Sequence, residues 1–506
     1  LKKWQLRAAI FIDKLAVTPA IPLSKISSPN DQWVYIGLLS VLVWAPLPLG
    51  SNRTWAIGIL LAFVLVLLTW TVWSWRHQLD AAQERLILFK WPLLLLAGMV
   101  CLTWLQVAPL PAAWVNVISP MAAQAQAPAP WMTLSLDVFQ TRNMGMLAFV
   151  YFSIFLVTLL TVRQASRLDQ LAQVLVWSGV LQAVLGAMLF SAKAEYRIFY
   201  TEVSHTRMIG SFVYHNSMAG YLCMCLSMGV GLMLARLSGS TSRHITWKAK
   251  LVGVLKFVLS AKMRLRLLLV VMVIGLVLTH SRMGNAAFFT AMLVVGLTGM
   301  MLARKTAPQT IALISSLVII DVLVVGTWVG LEKVVERIQE TEIRTADGGL
   351  SESVEARTEA ARTALAIVRD FAVVGSGGGS FYNVFLSYRT PQYAYAYVDH
   401  THNDFVEIAC DYGLTGLTLL GLVVGLTLWK TVWVLSKRRA TLPRGIAFGV
   451  TMSIVALLVH SMVDFNLQIP ANALTMVVIL AMGWIAATLP RGAVEAAAFP
   501  AKRRMD

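Results

Sequence analysis

The sequence predicts an all-α polytopic membrane protein, a reading that rests on three observations. Of 506 residues, 58% are hydrophobic and only 13% charged, against about 25% charged in soluble domains. Mean hydropathy is +0.69. Apolar runs of roughly 20 residues, the length needed to cross about 30 Å of hydrocarbon, recur along the chain, and the basic residues between them fall mostly in alternate loops, on one side. The net charge of +17 is therefore a topology signal, and no nucleic-acid partner is needed to explain it.

Twelve spans are expected, at 33–50, 54–74, 91–109, 143–162, 169–190, 212–235, 267–280, 284–303, 310–330, 412–436, 445–463 and 472–489. The segment 1–32 then forms a cytoplasmic N-terminal piece, 33–330 the first nine spans, 331–411 a loop domain, 412–489 the last three spans, and 490–506 a basic tail. The opening residues carry no cleavable signal pattern, because Asp13 and Lys14 break their short apolar stretch. Cys101, Cys223, Cys225 and Cys410 show no CxxC spacing, which argues against a disulfide scaffold or a zinc site.

With both termini placed in the cytoplasm, 29 of the 42 Lys and Arg fall inside. Short loops follow the positive-inside rule under this assignment. Residues 243–266 (RHITWKAKLVGVLKFVLSAKMRLR) alternate basic and apolar residues at helical spacing, as an amphipathic helix lying on anionic lipid does. Two outward segments are longer than connectors. Residues 110–142, rich in Pro and Ala, read as a re-entrant or interfacial piece. The domain 331–411 is acidic, with thirteen Asp and Glu against seven Lys and Arg. Its stretch ESVEARTEAARTALAIVRDF is a helix that the glycines of VVGSGGGSF end.

This topology sorts the chemistry. His77 and His244 fall inside, whereas His205, His215, His280, His400, His402 and His460 fall at the outer face. Titratable imidazoles gathered at one surface point to a site there. Arg142, Arg207 and Arg282 sit at the outer ends of spans, where planar guanidinium forks suit a diphosphate. Snorkelling to the interface is the competing explanation, strongest for Arg142. The glycine loop, with Gly377 and Gly379, can wrap an anion in backbone amides or serve as a hinge. His402, Asn403 and Asp404 precede the tenth span together with Glu407, and His460 and Asp464 close the eleventh. Asp321 lies near the middle of the ninth span, where an ionisable group has a function or a partner on another span.

Four motifs in one order carry a resemblance to a known family: RMIGSFVYHNSMAGY with His215 and Asn216, the turn SRMG, GSGGGSF, and THNDFVEIACDYGLTG. From about Arg142 to Asn472 the chain resembles the O-antigen ligase and polymerase superfamily. The family's order of motifs, their topology and their side of the membrane carry the likeness, since no one motif does so alone. Tyr214-His215-Asn216 departs from the family pattern, and His215 stands either as a replacement phosphate ligand or as a polar cap.

The resemblance implies a glycosyltransferase of the C superclass, working at the periplasmic face of the bacterial inner membrane. Such enzymes move a glycan from undecaprenyl diphosphate to an acceptor hydroxyl: a lipid A-core sugar for ligases, a glycan-chain end for polymerases, a protein side chain for a related set. No cofactor, metal or nucleotide is implied. Carried onto this chain, Arg207 and Arg282, with Arg142, would hold the diphosphate. His402 would act as general base or orient the diphosphate, with His215, Asn216, Asn403, Asp404, Gly377, Gly379, His460 and Asp464 in support. The competing class is a polysaccharide transporter, which would place charge near the bilayer midplane.

Overall fold

The computed structural model describes residues 31–192, 207–237, 261–302, 354–389 and 398–490. The expected ninth span with Asp321, the greater part of the basic segment 243–266 and both chain ends lie outside them. The described chain is almost wholly helical. In order it forms α1 (Gln32–Trp44), α2 (Thr54–Trp75), α3 (Leu79–Leu88), α4 (Lys90–Val107), α5 (Ala112–Ile118), α6 (Pro120–Ala125), α7 (Val138–Thr161), α8 (Ala165–Ser191), α9 (His215–Leu237), α10 (Ala261–Leu278), α11 (Arg282–Leu302), α12 (Val354–Asp370), α13 (Phe381–Phe385), α14 (Asp404–Lys437), α15 (Thr441–His460) and α16 (Pro470–Thr488). Nine of the described helices are long and apolar enough to cross a membrane: α2, α4, α7, α8, α9, α11, α14, α15 and α16.

Two expectations shift. The first span was expected over 33–50, but α1 stops at Trp44, because Pro46 and Pro48 supply no amide donor to a continuing helix. The tenth was expected from 412, but α14 opens at Asp404. Its first two turns carry Asp404, Glu407 and Asp411, all buried, and internal partners satisfy these groups where a hydropathy reading expects a loop.

Helices α9 and α16 form the centre, buried almost throughout, as helices apolar on every side must be. α9 packs along α15, α8 and α10, and α16 along α15 and α7. Small residues permit the closest approach: a Cβ on Gly231 would lie 2.3 Å from the Gly445 carbonyl oxygen, and one on Gly445 2.4 Å from that of Gly231. Such contacts let apolar helices pack tightly where lipid offers no hydrophobic gain. At the rim, α2 leaves Phe63, Val66, Trp70 and Trp73 bare, the pattern of a lipid-facing helix. Residues 110–132 fold as two short helices, α5 and α6, beneath a two-residue antiparallel pairing of Leu110–Pro111 with Trp131–Met132. Trp114, Val117 and Trp131 stand exposed there.

The two ends of the bundle differ. At one, Asp31 pairs with Arg163 at 2.9 Å and Arg167 at 2.8 Å, and the buried Arg85 donates to the carbonyls of Leu159 (2.6 Å) and Val162 (2.9 Å), capping α7. At the other end converge the N-termini of α7, α9, α11, α14 and α16, and that is where the candidate site lies.

Candidate active site

The site begins with a break in α14. Gly413 adopts φ +64°, ψ −172°, so the helical bonds from the amides of Leu414 and Thr415 back to the carbonyls of Cys410 and Asp411 are lost. Buried backbone groups need other partners, and the chain after α12 supplies all four. Leu414 N donates to Ala372 O (2.8 Å) and Thr415 N to Val373 O (3.2 Å). Ser376 N donates to Cys410 O (2.8 Å) and Gly377 N to Asp411 O (3.1 Å). Glycine is required on both strands, since a Cβ on Gly375 (φ +77°) would lie 2.3 Å from Asp411 backbone and one on Gly413 2.5 Å from Val373 backbone.

The glycine loop then folds over the Asp411 side chain. Gly379 N donates to Oδ2 at 2.7 Å and Phe381 N to Oδ1 at 3.2 Å. Gln106 of α4 completes the arrangement: its amide donates to Val374 O (2.6 Å) and Asp411 O (2.8 Å), and its oxygen accepts from Gly378 N (3.1 Å). The sequence leaves Gly377 and Gly379 as an anion cradle or a hinge; here Asp411 takes both amides, Gly377 N through its carbonyl and Gly379 N through its side chain. The loop does bind a carboxylate, but the carboxylate is the chain's own.

More than two turns earlier, the histidine motif leads into the start of the same helix. Asn403 is the N-cap of α14, its side-chain oxygen accepting from Phe405 N and Val406 N and its amide donating to Met462 O. Asp404 is fully buried, accepts from the Ser461 hydroxyl at 2.6 Å and from Leu467 N at 3.1 Å, and so brackets α14 to the turn after α15. His402, between the capping turn and the loop, has φ +53°, a conformation uncommon for a non-glycine residue and often found at functional sites.

Phe465 joins what the sequence kept apart. Its ring stacks on His400 (centroids 4.1 Å, interplanar 18°) and on Tyr214 (5.7 Å, 10°), and meets His402 edge-on at 5.1 Å. Tyr214 in turn contacts His215 at 4.4 Å, and its hydroxyl accepts from the Asn216 amide at 3.1 Å. Arg207 Nη1 lies 3.1 Å from His215 Nε2. A guanidinium only donates, so His215 accepts at Nε2 and is the neutral Nδ1–H tautomer in this pair.

The loop bearing Arg207 is pinned on three sides. Met208 N donates to Leu278 O (3.1 Å), and the Ser211 hydroxyl lies 2.6 Å from Pro46 O and 2.8 Å from Gln182 Oε1. Leu278 is four residues before Arg282, the exposed first residue of α11, whose N-terminus is capped by Ser281 through Gly284 N at 3.1 Å. His280, just before, also has positive φ, +54°. Arg142 is exposed on α7, and its neighbour Thr141 hydrogen-bonds Gly378 O at 3.0 Å. Arg142 thus follows directly on the residue of α7 that contacts the glycine loop. His460 and Asp464 are buried 3.9 Å apart beneath the histidine motif, and Asn472 donates to Ser217 O at 3.0 Å, tying α16 to α9.

Glu407 is buried, with Oε1 2.6 Å from His400 Nδ1 and Oε2 accepting from Thr401 N at 2.9 Å. Burial opposes charge on His400, yet Glu407, helped by Asp399 and Asp404, more than offsets this and raises its pKa to about 9.

Residues 267–421 match the family model described as O-antigen ligase. This stretch is similar to the O-antigen ligase family. This bears out the resemblance to the O-antigen ligase and polymerase superfamily. The matched stretch runs from α10 through the glycine loop and the histidine motif to the break in α14 and eight residues beyond it. Arg207, His215, Tyr214 and Phe465 lie outside it, on elements that pack against it. No curated protein matches the chain.

Of the residues expected from sequence, Arg207, His215, Asn216, His402, Asn403, Asp404 and Asp464 gather around Phe465 or the turns that hold it. Sequence reasoning missed Phe465 itself, Asp411 and Gln106 as the partners of the glycine loop, and the pairing of His400 with Glu407. The acidic group in the DYGLTG motif was a usable signal for Asp411. Phe465 stands between Asp464 and Asn466, and nothing in that local pattern marked it.

Proposed function

We propose that this protein moves a glycan from undecaprenyl diphosphate to an acceptor hydroxyl, as an O-antigen ligase with a lipid A-core acceptor. The polymerase reaction is the same chemistry with a glycan-chain end as acceptor. The reading places the protein in the bacterial inner membrane, both termini cytoplasmic, with residues 331–411 as a periplasmic loop domain bearing the base. One observation carries it: at one end of the bundle Arg207 is linked through His215 and Tyr214 to Phe465, whose ring His402, held in a capped turn, also meets. Charge gathered at a surface, beside the family-matched stretch, suits a transferase better than a midplane transport site.

In this mechanism the acceptor oxygen attacks the anomeric carbon as the bond to the diphosphate oxygen breaks, its electron pair leaving with the phosphate. Arg207 and Arg282 offset the charge that develops there. His402 takes the proton of the acceptor hydroxyl. One displacement inverts the anomeric centre. Asn403 and Asp404 fix the turn that aims His402.

The test is transfer by the purified protein in nanodiscs, given lipid-linked glycan and lipid A-core. Wild type is expected to transfer and His402→Ala to fold but not transfer; transfer at the wild-type rate by His402→Ala overturns the assignment. In a deletion strain, full-length lipid-linked chains accumulate for a ligase and single repeats for a polymerase.

A further inference from the structure

We propose that His400, clamped by Glu407, is a second substrate-facing group of the transfer reaction, donating from Nε2–H to an anionic oxygen of the lipid diphosphate. The inference rests on the transfer reading above and extends it to a residue that the reading leaves idle. Glu407 is buried and committed on both oxygens, Oε1 to His400 Nδ1 and Oε2 to Thr401, whose hydroxyl lies 3.2 Å away. A carboxylate so placed holds the proton on Nδ1 and turns the ring's other nitrogen outward, as second-shell carboxylates do for working histidines.

Nε2 has no hydrogen-bond partner among the described residues, and about a quarter of the side chain is exposed. The ring lies flat on Phe465, the residue whose edge His402 meets and on which Tyr214 also stacks. His400 and His402 thus flank one aromatic surface, with Arg207 reached through Tyr214 and His215.

The surroundings favour the charged form. Glu407, Asp404 and Asp411 face it from α14 and Asp399 from its own loop. The nearby cationic or titratable groups are His402, which shares Phe465 with it, the His460–Asp464 pair after α15, and the Arg207–His215 pair reached through Tyr214. The acidic groups prevail, so His400 persists as an imidazolium well above neutral pH. It therefore does not compete with His402 for the role of base. The His400–Glu407 pair carries no net charge, and its contribution is an oriented, charge-assisted donor with its positive end outward.

Two variants test this in the full-length protein in nanodiscs, each checked for folding by thermal unfolding. His400→Gln is expected to lower the transfer rate about ten- to hundredfold, the effect of removing one charge-assisted donor to developing charge. Binding of undecaprenyl diphosphate alone should weaken in the same variant. Glu407→Gln should move the alkaline limb of the pH–rate profile from near 9 down toward an ordinary imidazole's value of about 6.5. A wild-type rate and wild-type undecaprenyl diphosphate affinity in His400→Gln overturn the proposal, as does an alkaline limb that stays in place in a folded Glu407→Gln. Should wild type itself fail to transfer, the reaction assigned above fails, while the binding measurement still decides His400.

Discussion

Asp411 accepts the amide of Gly379 at 2.7 Å, and through this bond the two glycine-bearing motifs of the family-matched stretch become one structure. The broken helix and the loop that patches it form a rigid wedge, with Gln106 of α4 inserted between them. The wedge lies within α14, which opens at Asp404, two residues after His402.

Asp411→Asn keeps the shape of the side chain but leaves one acceptor where two amides donate. Losing one buried hydrogen bond costs about 1–3 kcal/mol. A lower midpoint in thermal unfolding and faster proteolysis between 371 and 381 are the expected results, and an unchanged midpoint contradicts the account of the loop.

Gly413→Ala meets both a positive φ and backbone atoms of Val373 at 2.5 Å, so it should destabilise by more than about 2 kcal/mol. Gly421 lies farther along the same helix with nothing within 4 Å of its absent Cβ. Gly421→Ala should be neutral or stabilising by up to about 1 kcal/mol. Equal effects of the two on thermal unfolding would sink the idea that the break at 413 is built in.

The His400–Glu407 pair makes stability depend on pH. The folded pKa of about 9 lies above the unfolded imidazole's value of about 6.5. Its contribution is therefore complete below about 6.5 and disappears as pH rises through about 9. The difference in unfolding midpoint between wild type and His400→Gln should be largest at pH 6 and shrink above pH 9; a constant difference refutes the pairing.

Arg207→Lys retains charge but loses the fork that reaches His215 and a phosphate together. A drop of about a hundredfold in transfer rate is expected, the scale for losing one preorganised donor to a developing anion. Wild-type kinetics in this variant would show that Arg207 is only an interfacial anchor.

Much of this was legible in the sequence because hydropathy reports lipid directly. The described long helices follow the apolar runs, and the arginines expected on the cytoplasmic side, Arg85, Arg163 and Arg167, do gather at one end, with Asp31 among them. What hydropathy misreads are charged residues that find partners inside the protein. Asp404, Glu407 and Asp411 look like loop residues, yet each is buried and hydrogen-bonded. The grouping around Phe465 was hidden for a different reason. It joins residues from three distant segments, 207–216, 400–402 and 460–466, and no local pattern encodes a tertiary meeting.

The central claim is that the lipid diphosphate sits between Arg207 and His402, the two groups linked through His215, Tyr214 and Phe465. A structure of the protein in nanodiscs with bound undecaprenyl diphosphate tests it most directly. The account predicts phosphate density within hydrogen-bond distance of Arg207 and Arg282, on the side of Phe465 open to His400 Nε2 and His402. Density seated on the glycine loop around Asp411, or within the middle of the bundle, would contradict it.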